Sequence, residues 1–363
     1  MSEQMNRCFR LRRRPEGAVV RDADLEFVEE AVPDTAPGQA LIRTLLLSVD
    51  PTNRPWMADI RSYIAPVEIG SVMRGIGIGE VVASRRNDLT PGDLVFGFTG
   101  WQDYTVSDDA TNEIPFTVLP APLPAPLGAF LGVLGHTGIT AYLGIEDIGR
   151  PQPGETMVVS GAAGAVGSVA GQLGKVRGAR VVGVAGSAEK CRHVVEDLGF
   201  DACVDYRAAD WADQIDEATP DGIDVDYENV GGPVMDHVIG RMNVGGRVVL
   251  CGMISEYAGY HSAAGWQGQF EILQILLQRV LMKGFIVLDH AERFPEAVGY
   301  LAGLLAEGRL TYRETVVDGL ENARDALNAL FRGENTGKML VRVSDPSEQT
   351  LAREGAAEVV APT

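Results

Sequence analysis

The stretch Val158–Gly183 reads VVSGAAGAVGSVAGQLGKVRGARVVG and holds a strand, a tight turn, a helix and a second strand in one continuous run. The apolar Met157-Val158-Val159 strand enters Gly161-Ala162-Ala163-Gly164-Ala165-Val166-Gly167, where small residues let the backbone approach a pyrophosphate and let the next helix pack close to the sheet. Apolar and small residues at Val166, Val169, Ala170 and Leu173 mark the helix, and Val181-Val182-Gly183-Val184 the second strand. A helix N-terminus behind such a turn offers N–H groups and a positive dipole end to an anion. The unit therefore predicts a dinucleotide-binding site in which Gly164, Ala165, Val166 and Gly167 meet the pyrophosphate. The bland alternative is an ordinary strand-to-helix turn of an α/β protein.

The second strand argues for one dinucleotide over another. An NAD site places an Asp or Glu roughly 20 residues past the turn, against the ribose 2′-hydroxyl. Here Val182–Ala185 leads into Gly186 and Ser187, with Lys190 and Arg192 close behind, so the position accepts a 2′-phosphate and NADP(H) is favoured. Glu189 is the competing partner of Lys190, which would then be an ordinary surface cation.

At 363 residues the chain is long for a single core, and about two domains are expected. Its net charge of −19 speaks against a nucleic-acid surface and for small-molecule partners. The arginine-rich start lacks the apolar core of a secretory signal, and no run approaches a membrane span. Cys8, Cys191, Cys203 and Cys251 show no paired spacing of a zinc knuckle or a disulfide framework, so reduced thiols in a cytosol are the simplest account.

Before about residue 127 short β-like runs are broken by Gly, Pro and Asp: Gln39–Val49, Gly77–Ala83, Asp93–Phe98 and Gln102–Val106. They predict an irregular β-barrel-like domain over 1–127, with the Pro-rich stretch Pro115–Pro126 as its exit. From 128 to 310, helix and strand alternate, with strands expected at Met157–Ser160, Arg180–Ala185, Ala202–Asp205, Gly222–Asn229, Gly246–Cys251 and Lys283–Leu288. That pattern predicts a doubly wound parallel sheet. Thr315–Val317, a helix over Glu321–Arg332 and a strand Lys338–Val343 return to complete the first domain over 311–345, and 346–363 reads as a tail or end helix.

Several motifs in order resemble the medium-chain dehydrogenase/reductase superfamily, in its zinc-independent leukotriene B4 12-hydroxydehydrogenase or prostaglandin, alkenal and curcumin reductase group. They are Leu47-Ser48-Val49-Asp50-Pro51, Gly75–Val82, Thr140-Ala141-Tyr142, Ala162–Ser168, Gly186–Cys191, Glu228-Asn229-Val230-Gly231-Gly232 and Gly333–Lys338. The resemblance spans about Leu41 to Val343. It implies a Rossmann domain with a GroES-like partner domain, a homodimer formed through the last strands of the nucleotide domain, and NADPH-dependent reduction of an activated carbon–carbon double bond without a metal. The residues agree on the last point. Ser48 stands where a zinc-dependent relative has a cysteine ligand, a His-Glu pair near residue 70 is missing, and His136, His193, His237, His261 and His290 form no close pair.

The resemblance assigns Lys190 and Tyr206 to the adenosine 2′-phosphate end and Asn229 to the cofactor. It places Cys251–Tyr257, Phe285–Val287 and Asn335 on the nicotinamide side. The plain readings are turn residues for Asn229 and Asn335, a packing residue for Tyr206 and a small buried filler for Cys251. For an enone or enal the expected oxyanion donor is Tyr257, with the cofactor ribose hydroxyl as alternative donor and water as alternative proton source. Arg54, Tyr63 and Trp266 are the substrate-side candidates, Arg54 being equally a structural ion-pair partner. Tyr260–Phe270, with Trp266, reads as a specificity loop. A zinc-free quinone reductase and an NADPH-binding protein without turnover are the alternatives.

Overall fold

The computed structural model describes residues 5–17, 19–108, 115–257, 272–348 and 350. They fall into two compact units, Met1–Leu131 with Glu314–Thr363, and Gly132–Arg313. Among the described residues no helix is long and apolar enough to cross a membrane.

In the first unit, β3 (Ala40–Ser48), β4 (Ile76–Ser84), β5 (Leu94–Phe98), β6 (Tyr104–Ser107) and β7 (Thr117–Val118) join β14 (Glu314–Asp318) and β15 (Lys338–Arg342). The seven strands run β14-β15-β3-β4-β5-β7, with β6 on β3, antiparallel except for the β14–β15 pair. Ala40, Ile42, Val81, Leu89, Val95 and Phe116 pack as one of its apolar clusters. A one-turn helix, α1 (Asn53–Trp56), follows β3, and α9 (Ala323–Phe331) lies between β14 and β15. The expected strands and the return of the chain at its end are thus present in this antiparallel sheet unit.

A hairpin that the sequence reading passed over precedes them: β1 (Met5–Leu11) pairs antiparallel with β2 (Leu25–Ala31). Its arginines conceal the strand pattern. The Arg7 side chain makes two bonds to Asp103, 96 residues away, and that of Arg10 two to Glu30, so their charges are balanced while Asn6, Cys8, Phe9 and Leu11 are buried. The start of the expected tail is also anchored. Glu80 on β4 accepts from Ser347 N–H at 3.0 Å and Thr350 Oγ1 at 2.8 Å, and its carboxyl is held below the usual range because these bonds and Arg43 outweigh its burial. Residues 351–363 lie outside the described residues.

The second unit is a parallel sheet of β8 (Thr156–Ser160), β9 (Arg180–Ala185), β10 (Ala202–Asp205), β11 (Ile223–Glu228), β12 (Met242–Leu250) and β13 (Leu281–Gly284). Its order, β10-β9-β8-β11-β12-β13, is the doubly wound 3-2-1-4-5-6 arrangement, whose ligands bind beyond the carboxyl ends of the strands at the β8–β11 reversal. The connecting helices are α2 (His136–Leu143), α3 (Ala165–Val176), α4 (Ala188–Glu196), α5 (Trp211–Ala218), α6 (Gly232–Gly240), α7 (Ile272–Gln278) and α8 (Phe294–Ala306). The last strand lies earlier than the expected Lys283–Leu288. Gly284 pairs with Leu250, where β12 ends, so the apolar residues beyond it lose their ladder partner and a 3-10 turn starts at Val287.

Two carboxyl residues of β11, Asp226 and Glu228, break the apolar rule of this sheet. Asp226 is 0% exposed and lies in register with Val158 on one side and Val248 on the other. Among the described residues neither carboxylate oxygen has a hydrogen-bond partner. Burial, and then the nearby Glu228, raises its pKa well above the ordinary carboxyl value. The folded state therefore keeps a proton that the unfolded chain releases above about pH 4, and stability falls as pH rises from there toward the folded pKa. Asp226→Val continues the valine row and is expected to stabilise the protein by about 1–3 kcal/mol, more at alkaline than at mildly acid pH. Thermal unfolding at the two pH values checks this, and a variant that melts no higher than the parent at alkaline pH would refute it.

Candidate functional site

The glycine turn lies where β8 meets β11. Gly161 adopts φ +61°, a left-handed conformation that reverses the chain, and Ala162 N–H ties the turn to Val184 O on β9. Gly164 caps α3 and offers no side chain to the first helical N–H groups, which a helix leaves without partners of its own. At Gly167 a Cβ would stand 2.3 Å from Gly161 O. The turn is thus a backbone cradle that any larger residue at 167 would fill, and its chemistry fits a pyrophosphate.

Beneath the cradle is a polar clamp. Ser160 Oγ donates to Glu228 Oε1 at 2.5 Å, and Asn229 donates twice to Ser160, from its main-chain N–H to Oγ at 2.8 Å and from Nδ2 to the carbonyl at 2.7 Å. Val230 and Gly231 N–H also donate to Glu228 Oε1. Burial pushes the Glu228 carboxyl up while these donors pull against it. The Asn229 side chain therefore holds the carboxyl ends of β8 and β11 together, directly below the turn.

Beyond β9 and β10 a second cluster forms. Ser187 caps α4 by accepting from Lys190 N–H at 3.2 Å, which sets the start of the helix that carries Lys190. The Tyr206 ring rests on Gly186, where a Cβ would come within 2.9 Å of it, and Arg207 stacks on the same ring with its guanidinium carbon 5.7 Å from the centroid. Burial, and then the Arg207 charge, holds the Lys190 ammonium below its usual pKa, with Glu189 opposing. Two cations that repel each other beside an aromatic ring suit a dianionic phosphate next to a flat base. Arg207 is absent from the sequence reading, although its place directly after Tyr206 is the signal that would have found it.

The loop after β12 carries Cys251 and Tyr257. Burial pushes the Cys251 thiol up to about 12, so it is a neutral thiol at physiological pH. The Tyr257 hydroxyl turns back toward Gly252 and accepts from Met253 N–H at 3.4 Å. Phe285 follows β13 directly, and Val287 opens the next helical turn, both half-buried.

In the first unit, Tyr63 is exposed at its edge, and its hydroxyl accepts from Trp56 Nε1 at 3.0 Å. Trp56 meets Phe98 edge-on and Arg74 lies over its ring at 5.7 Å. Asn335 Nδ2 donates to Gly337 O at 2.9 Å and shapes the turn before β15. Arg54 corrects the substrate-side expectation. It is 1% exposed, and its guanidinium donates to the carbonyls of Pro15 and Gly17, so it fastens the N-terminal loop and has no face to offer a substrate. Trp266 and the whole stretch Tyr260–Phe270 lie outside the described residues.

Ser48 belongs to a buried network that the sequence reading did not assemble. Ser48 Oγ donates to Asp50, and Lys338 Nζ donates to Asp50 Oδ1 at 2.9 Å and to Val49 O at 3.1 Å. An ammonium already neutralises the carboxylate there, so the donor set does not fit a zinc ion. Among the described residues no group of three or more His, Cys, Asp or Glu is gathered as a metal site requires.

Comparison with known proteins agrees with this geometry. Residues 7–114 match the family described as the N-terminal domain of oxidoreductase, and residues 165–303 the family described as zinc-binding dehydrogenase. The chain is 45% identical over 341 residues to the putative NADP-dependent oxidoreductase YfmJ of Bacillus subtilis, covering 93% of this chain and 98% of that protein. It is 43% identical over 347 residues to the NADPH-dependent curcumin reductase of Escherichia coli, covering 94% and 98%. The crystal structure of CurA in complex with NADPH from Vibrio vulnificus superposes with a TM-score of 0.88 at 41% identity, over 94% of this chain and 100% of that one. The chain belongs to the medium-chain dehydrogenase/reductase superfamily, in the group of the alkenal and curcumin reductases.

Proposed function

We propose that the protein is an NADPH-dependent oxidoreductase that reduces the carbon–carbon double bond of α,β-unsaturated ketones or aldehydes without a metal. The observation that carries the reading is the glycine-capped cradle at Gly161–Gly167 together with the Lys190, Tyr206 and Arg207 cluster beyond β9 and β10. The curcumin reductase, 2-alkenal reductase and pulegone reductase among its relatives support the substrate class. The Ser48–Asp50–Lys338 network supports chemistry without zinc.

NADPH supplies a hydride when bound. The α3 N-terminus holds its pyrophosphate, and Lys190 and Arg207 its 2′-phosphate. Addition at the β-carbon of a conjugated carbonyl develops negative charge on the carbonyl oxygen, where a donor lowers the barrier. Tyr257 is that donor in our reading, placed on the loop after β12 where a doubly wound sheet meets its ligand. Tyr63, exposed and held by the buried Trp56, is the aromatic residue that our reading assigns to an apolar substrate. Cys251 takes no covalent part, since its thiol stays protonated.

Tyr257→Phe is expected to lower turnover about tenfold, the equivalent of about 1.4 kcal/mol for one transition-state bond, with the Michaelis constant for NADPH unchanged. Unchanged turnover in steady-state assays would remove the tyrosine from the mechanism.

The enzyme is a homodimer in this reading. Leu273, Leu277 and Leu281 are exposed on α7 and β13 at the edge of the parallel sheet, and Leu276 is 70% exposed beside them. Such a cluster on an edge strand suits a second copy of the same chain. Leu276→Asp is expected to shift sedimentation from dimer to monomer, and a monomeric parent protein would refute the assignment.

The reaction is tested by following NADPH oxidation with alkenones, alkenals, curcumin and quinones, repeated with NADH. NADPH-specific turnover of an enone or enal is expected. Turnover of quinones alone would replace the reading with quinone reduction, and tight NADPH binding without turnover would replace it with a binding protein.

A further inference from the structure

The sequence spacing of the cysteines suggests no pairing, yet the fold brings two of them together beside the cationic cluster. Cys191 lies in the first turns of α4, directly after Lys190, and Cys203 lies on β10, three residues before Tyr206. Both are free and half-buried, and the Cys203 thiol donates to Cys191 Sγ at 3.0 Å. A disulfide bond measures about 2.05 Å, so the two sulfurs are within about 1 Å of bonding. Helix α4 packs against β10, and their sulfurs meet between the two elements.

We propose that Cys191 and Cys203 form a reversible redox site that closes to an intramolecular disulfide on reaction with a hydroperoxide, and that closure weakens NADPH binding. The second half rests on the assignment of Lys190 and Arg207 to the 2′-phosphate.

The chemistry balances within the pair. The bond from Cys203 and a main-chain contact at Ala185 favour the Cys191 thiolate against burial and the Asp205 charge, while Cys203 keeps its proton. Cys191, in the first turns of α4 where the positive end of the helix favours a thiolate, is the nucleophile. Its sulfur attacks the terminal oxygen of the hydroperoxide, the O–O bond breaks, and the alkoxide leaves as the alcohol with the proton that Cys191 lost. Cys191 is then a sulfenic acid. The Cys203 sulfur loses its proton and attacks that sulfur, and water leaves. Two thiols and one hydroperoxide become one disulfide, one alcohol and one water. A dithiol reductant returns both thiols by exchange.

Closure acts on the cofactor end through the chain. Lys190 N–H is bonded to the Ser187 cap and Cys191 N–H to Ser187 O, so a pull on Cys191 moves the turn that positions Lys190. On the other side β10 leads directly into the Tyr206–Arg207 stack. A shift of one segment against the other alters the separation of the two cations, and a charge-assisted phosphate contact depends on that separation. Linkage makes the effect reciprocal, so bound NADPH disfavours the disulfide at equilibrium.

The test uses the full-length enzyme, treated with tert-butyl hydroperoxide and analysed by intact mass and by peptide mapping without reduction. A Cys191–Cys203 linked peptide with the loss of two hydrogens is expected, and dithiothreitol restores the thiols. NADPH fluorescence titration of the closed form is expected to show affinity at least about fivefold weaker than the reduced form, with NADH affinity unchanged. Cys191→Ser and Cys203→Ser each fold with the parent circular dichroism, form no link and keep their NADPH affinity under peroxide. Oxidation of Cys191 to sulfinic acid with no linked peptide would overturn the site. A linked peptide with equal loss of NADPH and NADH affinity would keep the dithiol and overturn the 2′-phosphate assignment. Unchanged affinity for both in the linked form would overturn the coupling.

Discussion

Lys338→Met is expected to destabilise the protein by about 3–5 kcal/mol, since it removes the cation from a buried ion pair and leaves its carboxylate in place. Lys338 is 3% exposed, and its ammonium donates to Asp50 Oδ1, Val49 O and Met339 O. These contacts join the end of β3 to β15, strands whose sequence positions lie 288 residues apart at the Asp50–Lys338 bond. Methionine matches the stem of the lysine and fills its channel, so packing is nearly conserved and the loss isolates the charge. At about 2–4 °C per kcal/mol for domains of this size, the melting temperature falls by roughly 10 °C. Adding Asp50→Asn to the variant removes the stranded charge and is expected to recover part of the loss. A Lys338→Met protein that melts with the parent would show that Asp50 is neutralised by other means.

That network also shows where sequence reading stops. Ser48 reads as a departure from a zinc ligand because a residue type carries that expectation. The ammonium beside it is not legible in this way, because the contact joins opposite ends of the chain. A lysine opening the apolar run Lys338-Met339-Leu340-Val341 was the available signal, and its burial is what gives that signal meaning. Arg54 failed for the same reason in reverse. Its charge suggests a substrate carboxylate, whereas its donors are absorbed by the carbonyls of Pro15 and Gly17.

The local backbone pattern, by contrast, is largely legible. The turn Gly161–Gly167 requires glycine within a few residues of itself, and β8 and β9 beside it carry the short apolar runs of buried parallel strands. The β13 boundary slipped because apolar residues from Phe285 onward still look like strand, and only the end of β12 at Leu250 stops the ladder. The hairpin β1–β2 was hidden by charges that the fold neutralises at a distance. Elements fixed by neighbours in sequence, such as the glycine turn, are more legible than contacts fixed by remote partners, although Arg207, directly after Tyr206, escaped notice.

The cofactor end offers the sharpest functional test. Lys190→Ala is expected to raise the Michaelis constant for NADPH about 10- to 100-fold while leaving that for NADH within about twofold, because a charge-assisted bond is worth about 1.5–3 kcal/mol and NADH lacks the phosphate that would receive it. Burial, and then the Arg207 charge, holds the Lys190 ammonium down. Removing Arg207 therefore relieves Lys190, and the two losses are not additive. Arg207→Ala is expected to weaken NADPH less than Lys190→Ala, since the arginine also stacks on Tyr206 and part of its loss is a ring contact. The double variant approaches equal use of the two cofactors. Steady-state kinetics with both nucleotides on the three variants decide the matter. Equal effects on NADPH and NADH from Lys190→Ala would place the phosphate elsewhere, and an Arg207→Ala enzyme with parental selectivity would leave Lys190 as the cation that reads the 2′-phosphate.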